Sequence, residues 1–156
     1  MASVIKFTHD DMSHQNAHIE RRHEHPSNTG IDHTRSKLNY SIPMPHHGDF
    51  TPTEYYQKIV KSKYLYGRGT KREKRAITGC GWIVTLPQEL YGDPIKEKAF
   101  FEGVYNFIAH RYGIENIINN SVHYDESGLP HIHVIFIPSK NLDHDFVQYK
   151  TYRTTE

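Results

Sequence analysis

Apolar positions along the chain recur at periods that outline its elements. Residues 3–7, Ser-Val-Ile-Lys-Phe, read as a short strand. Residues 13–25 read as a helix, which puts His14, His18, Arg21 and His25 on one face at steps of four, three and four. Residues 27–30 read as a turn, and 37–42 as a strand closed off by Pro43 and Pro45. Thr51, Pro52 and Glu54 make a helix start: N-cap, first helical position and capping box. Tyr55, Tyr56, Ile59 and Val60 are its apolar stripe, and the helix runs into a basic segment. Residues 82–86 form a buried-type strand stopped by Pro87. The strongest helix is 94–112, capped by Asp93, opened by Pro94 and ended by Gly113. Its stripe is Ile95, Ala99, Val104, Phe107, Ile108 and Tyr112. Two strands follow, at about 118–125 and 131–137, joined by a hairpin-like link. The order β-α-β-α-β-α-β-β predicts an α+β domain, a sheet with its helices on one face.

Composition narrows the class. The 156 residues suit one domain, and 36% hydrophobic residues allow one modest core. No apolar run approaches the ~20 residues that span a bilayer. The first residues lack a basic region followed by an apolar one, so no secretory signal is expected. The single cysteine, Cys80, excludes an internal disulfide and a multi-cysteine zinc cage, and fits a reducing cytoplasm. A net charge of +1 excludes a bulk polycation.

Two features are local. Eight of the 13 histidines lie in the first 47 residues, and His123, His131, His133 and His144 fall near the end. Basic charge gathers in Lys58, Lys61, Lys63, Arg68, Lys71, Arg72, Lys74 and Arg75, against Glu73 alone, with Tyr64 and Tyr66 among them. Such a segment suits nucleic acid, cations meeting phosphates and rings stacking on bases; read by itself it is equally a solvated loop.

The segment from His123 to His133 carries the most chemistry. Residues two apart on a strand point the same way, so His131 and His133 share a face, and His123 shares one with Asp125. A hairpin centred near Gly128 sets His123 opposite His133, and three imidazoles converge on one side of two adjacent strands. Three neutral imidazoles suit a divalent first-row metal with positions open to substrate oxygen. A lone His-x-His is more often incidental on a surface hairpin. A third histidine across the strand, with Asp125 and Glu126 beside it, turns the reading to a metal site.

In this order the residues resemble the relaxases of the mobilisation/plasmid-recombination family, the MobV or Mob/Pre type, within the HUH endonucleases. The HUH element is His131-Ile132-His133. The family pattern His-x-Asp-Glu-Ser-x-Pro-His-x-His is met with one extra residue, Ser127-Gly128-Leu129-Pro130 standing where the family has Ser-x-Pro. Upstream, His18-Ile19-Glu20-Arg21 is similar to the family's His-x-x-Arg, Leu38-Asn39-Tyr40 to its Leu-Asn-Tyr strand, and Ala76 to Thr85 to its central strand. The resemblance covers roughly residues 4–138.

It implies an HUH-type antiparallel sheet with helices packed on it and the metal on two central strands. It implies nicking of one strand of plasmid DNA at an origin of transfer, the protein staying joined to the 5′ end. His18 is then the nucleophile, with Glu126 fixing its tautomer and taking up its proton. His123, His131 and His133 hold Mn2+ or Mg2+, and Asp125 orients a metal-bound histidine from behind. Arg21 neutralises charge on the phosphoryl oxygens, assisted by Arg72 or Arg75. Asn39 and Tyr40 join the basic segment in binding DNA. The partners implied are single-stranded or hairpin origin DNA and a conjugative coupling protein, with no membrane contact in this domain. Residues 1–156 are expected to form one relaxase domain, of a kind that in the family continues into a further C-terminal region, in the bacterial cytoplasm.

Three other readings stay open on sequence. A replication initiator of the same superfamily would use Tyr149 or Tyr152. A non-catalytic DNA-binding module would use the histidines for a structural metal. A metal-dependent hydrolase of small molecules would leave the basic, aromatic segment without a task.

Overall fold

The computed structural model describes residues 1–22, 30–63 and 77–138. Strand β1 (Ala2–Thr8) leads into helix α1 (His9–Ile19), α2 spans Pro52–Lys63, and β2 spans Ile77–Thr85. Helix α3 (Pro94–Tyr112) precedes β3 (Ile117–His123) and β4 (His131–Phe136). The four strands form one antiparallel sheet in the order β1-β2-β4-β3.

Local chemistry sets the helix bounds. Helix α2 starts at the capping box, where Thr51 N donates to Glu54 Oε2 at 2.9 Å and Glu54 N donates to Thr51 Oγ1 at 3.3 Å. Helix α3 keeps the expected bounds: the Asp93 carboxylate accepts from the backbone of Ile95 and Lys96, and Gly113 ends the helix at a φ of 89°. Helix α1 starts four residues before the expected one because Thr8 and Asp11 make a capping box, Thr8 N donating to Asp11 Oδ2 at 2.8 Å. It ends at Ile19, and Arg21 turns into the left-handed region at a φ of 55°. Arg21 therefore leaves the helical face of His14 and His18, and His25 lies outside the described residues.

The expected strand at 37–42 is instead a turn of 3-10 helix, Ser36–Leu38, followed by an extended stretch along the free edge of β3. Tyr40 and Val122 exchange backbone hydrogen bonds at 3.2 and 2.7 Å. The Asn120 side chain then acts as a surrogate peptide, accepting from Ile42 N at 2.7 Å and donating to Ile42 O at 2.9 Å. Strand β2 begins five residues before the expected one, because Gly79 and Gly81 hide it from an apolar count. Both glycines are required by close approach: a Cβ on Gly79 would sit 2.4 Å from the Met12 sulfur, and one on Gly81 2.9 Å from the Phe7 ring.

The helices lie on both faces of the sheet, which corrects the one-sided layer. Strand β4 divides the core by parity. Ile132, Val134 and Phe136 pack with Phe101, Tyr105 and Ile108 of α3. Ile135 and Ile137 pack with Met12 and Ile19 of α1 and Tyr55, Tyr56 and Val60 of α2. Residues 117–123 are buried throughout because both layers cover β3. The buried stripe of α3 is Phe101, Tyr105, Ile108 and Ala109, rotated from the expected one, and Ile95 is 83% exposed.

Candidate metal centre

Strands β3 and β4 pair His123 with His131 and Ser121 with His133. His123 thus faces His131, two residues from the expected register, because the connection is centred on Ser127 rather than Gly128. A shift of two keeps every side chain on its face, so the three imidazoles still converge. The metal strands are one central strand, β4, and one edge strand, β3, rather than two central ones.

The rings are oriented by backbone carbonyls. His123 Nε2 lies 3.0 Å from Ile19 O and donates to it, so its lone pair is on Nδ1. That Nδ1 is buried, has no hydrogen-bond partner among the described residues, and lies 3.4 Å from Glu126 Oε1. His131 and His133 bring their Nε2 atoms within 3.0 Å of each other, and Glu126 Oε2 lies 3.5 Å from His131 Nε2. One ligand atom each from His123, Glu126, His131 and His133 falls within 4.8 Å of the others. The set fits a divalent ion. A buried imidazole lone pair beside two neutral imidazoles and an ionised carboxylate is a donor set that such an ion takes.

Burial tunes the ligands. Desolvation lowers the His131 pKa, and carries that of His133 from 6.5 down to about 2 with help from His123 and His131, so both rings are neutral and ready to bind. The Arg21 guanidinium holds Glu126 well below the usual carboxylate range, against its burial.

Arg21 is fully engaged. Its Nε donates to Asp125 Oδ2 at 3.0 Å, Nη2 to Asp125 Oδ1 at 2.7 Å and Glu126 Oε1 at 2.6 Å, and Nη1 to His18 O at 3.1 Å. Burial would raise the Asp125 carboxyl, but hydrogen bonds from Arg21 and Ser36 outweigh it and keep the group ionised. Asp125 accepts from Arg21 and Ser36, and Arg21 in turn donates to Glu126 of the cluster. Arg21, in its left-handed conformation, bonds both carboxylates.

His18 stands at the open side of the cluster. Its side chain is one-third exposed, at 33%, and Nε2 lies 3.8 Å from Glu126 Oε1. Its ring centroid is 6.4 Å from that of His123 and 6.2 Å from that of His133. Asn39 and Tyr40 brace the hairpin: Tyr124 N donates to Asn39 Oδ1 at 2.8 Å, and Tyr40 pairs with Val122. The Lys58 ammonium lies 4.6 Å over the Phe50 ring. The side chains of Lys61 and Lys63 lie outside the described residues, as do Arg68, Lys71, Arg72, Lys74, Arg75, Tyr149 and Tyr152.

Sequence reasoning missed the struts beneath the site. Asn119 Nδ2 donates to Asn16 Oδ1 and Glu20 Oε1, each at 3.0 Å, and ties the end of α1 to β3. Two consecutive asparagines inside an apolar strand were the available signal, because a buried amide must find partners.

A family model described as plasmid recombination enzyme (Mob_Pre) matches residues 1–152. The plasmid recombination enzyme of Streptococcus agalactiae is 34% identical over 128 residues, 80% of this chain and 25% of that protein. The type 2 enzyme of Staphylococcus aureus (strain N315) is 30% identical over 126 residues, 80% of this chain and 29% of that protein. The chain thus spans between a quarter and three-tenths of these relatives. Among solved structures, a Mn-bound MobM relaxase domain (MOBV; Mob_Pre) bound to plasmid pMV158 oriT DNA is similar, with a TM-score of 0.73 and 28% identity over 90% of this chain and 71% of that one.

Proposed function

The chain belongs to the plasmid recombination enzyme family, and from that membership we propose that residues 1–156 form a relaxase domain that nicks one strand of plasmid origin DNA. The observation that carries the reading is His18 standing 3.8 Å from Glu126 at the mouth of a three-histidine cluster.

His123, His131 and His133 would hold the ion, Mn2+ by likeness to the Mn-bound relative and Mg2+ as the alternative. When bound, a divalent ion supplies Lewis-acid polarisation of a phosphate oxygen. The chain's own residues do the rest. One His18 ring nitrogen attacks phosphorus while Glu126 accepts the proton carried by the other. The P–N bond forms, the P–O3′ bond breaks, and the 3′ oxygen departs as an alkoxide that takes a proton from solvent water. Arg21 acts as a positioning residue, keeping Glu126 ionised and aimed at His18. Charge on the phosphoryl oxygens then falls to Arg72 or Arg75, and the remaining basic residues track the strand.

The partners proposed are single-stranded or hairpin origin DNA and a conjugative coupling protein, in the bacterial cytoplasm. Among the described residues no helix is long and apolar enough to cross a membrane. Incubation with a single-stranded origin oligonucleotide and Mn2+ should give a shifted protein–DNA band that His18→Ala lacks. A band that persists in His18→Ala and vanishes in Tyr149→Phe or Tyr152→Phe would transfer the reading to a replication initiator.

A further inference from the structure

A cleft of about 250 Å³ opens on the α1 face of the sheet, and His18 and His133 form one of its walls. Register explains it. Ile5, Gly81 and Ile135 stand in one row across β1, β2 and β4, and Ile83 pairs with His133 in the next row toward the metal. Gly81 has no side chain and lets the Phe7 ring lie against β2. The remaining walls are apolar, and Gln15 of α1 supplies an amide at the rim. Among the described residues no lysine or arginine lines the cleft, so its walls favour an uncharged occupant over a phosphate.

We propose that this cleft is the subsite for a nucleobase flanking the scissile phosphate, a reading that rests on the proposed relaxase activity. The shared wall puts any occupant within one nucleotide of the reacting phosphorus. Flat apolar walls suit a base face, which stacks or packs irrespective of sequence. The Gln15 amide both donates and accepts, the pattern that a base edge presents. The volume lies below the ~300–1,000 Å³ of drug-sized sites, which suits one base rather than two. The cleft therefore holds the base at the nick itself, apart from any binding by the basic segment.

The test uses the full chain loaded with Mg2+, isoleucine methyls labelled for NMR, and simple probes. Deoxynucleoside 3′-monophosphates put the base on the 5′ side of the phosphate, 5′-monophosphates put it on the 3′ side, and deoxyribose 5-phosphate has no base. One nucleotide series should shift the Ile5, Ile83 and Ile135 methyls, leave Ile108 and Ile132 on the opposite face unmoved, and bind roughly tenfold or more tighter than the sugar phosphate. Which series does so identifies the side of the nick. Ile5→Trp, which fills the cleft from its 41%-exposed rim, should abolish the methyl shifts while the histidine ring signals still respond to phosphate. Methyls unmoved by both series, or shifts that persist in Ile5→Trp, overturn the subsite. Loss of the covalent band with the methyl shifts intact would sink the relaxase reading and leave the base site standing.

Discussion

Arg21 and Asp125 are joined by two parallel hydrogen bonds, Nε to Oδ2 at 3.0 Å and Nη2 to Oδ1 at 2.7 Å, across 104 positions of sequence. The Asp125 side chain is fully buried and that of Arg21 nearly so, at 17% exposure. Breaking such a pair from one side strands a charge. Arg21→Ala should cost about 3–5 kcal/mol in urea unfolding, and the double variant with Asp125→Asn less than the sum of the two single changes. Additive losses would mean the clasp contributes no coupling.

Metal removal is the most direct check of the histidine cluster. Chelator should abolish nicking and Mn2+ or Mg2+ restore it, and His131→Ala or His133→Ala should weaken Mn2+ binding in calorimetry together with activity. Full activity in chelator would remove the ion from the reaction.

Three desolvated histidines give the metal-free protein a pH dependence of known sign. Burial lowers the pKa of His47, His131 and His133 from 6.5, the last to about 2. Above about pH 6.5 both folded and unfolded chains hold them neutral. As pH falls below that, the unfolded chain takes up protons that the folded chain takes up only at lower pH, and stability declines. Urea midpoints should therefore drop between pH 7 and pH 5, and His47→Gln should flatten part of the slope. An unchanged midpoint over that range would contradict the burial argument.

The covalent product reports its own chemistry. A bond from imidazole nitrogen to phosphorus breaks in acid, whereas a tyrosyl phosphodiester survives. The protein–DNA band should be lost on acid treatment, and His18→Ala should remove it while Mn2+ binding stays, because the metal ligands lie on other strands. An acid-stable band would exclude His18 as its anchor.

Neutralising Lys71, Arg72, Lys74 and Arg75 should weaken single-stranded DNA binding and reduce its salt slope by up to about 0.7 per lost phosphate contact. An unchanged slope would return the segment to a solvated loop.

What the sequence made legible were features encoded by neighbours. Asp93, Pro94 and Gly113 bounded α3, and the spacing of His123, His131 and His133 set three imidazoles on one face. Features that depend on a distant partner were not legible. Asn120 pairs with Ile42 only because the chain returns along β3, and Arg21 leaves its helix to meet Asp125. Met12 and Phe7 press against Gly79 and Gly81, a contact between elements far apart in sequence. The helix start at Thr8 was local and still missed, because aspartate at Asp11 fills the place usually given to glutamate.

The bond from His123 to the carbonyl of Ile19 ties the residue after His18 to a strand made more than a hundred residues later. Translation runs from the N-terminus, at about 5–20 residues per second. A chain still on the ribosome thus carries His18 for several seconds before His131 and His133 exist. The three-histidine cluster is assembled only when the β3–β4 hairpin closes, so any activity that depends on it is withheld from a chain that has not yet been made as far as His133.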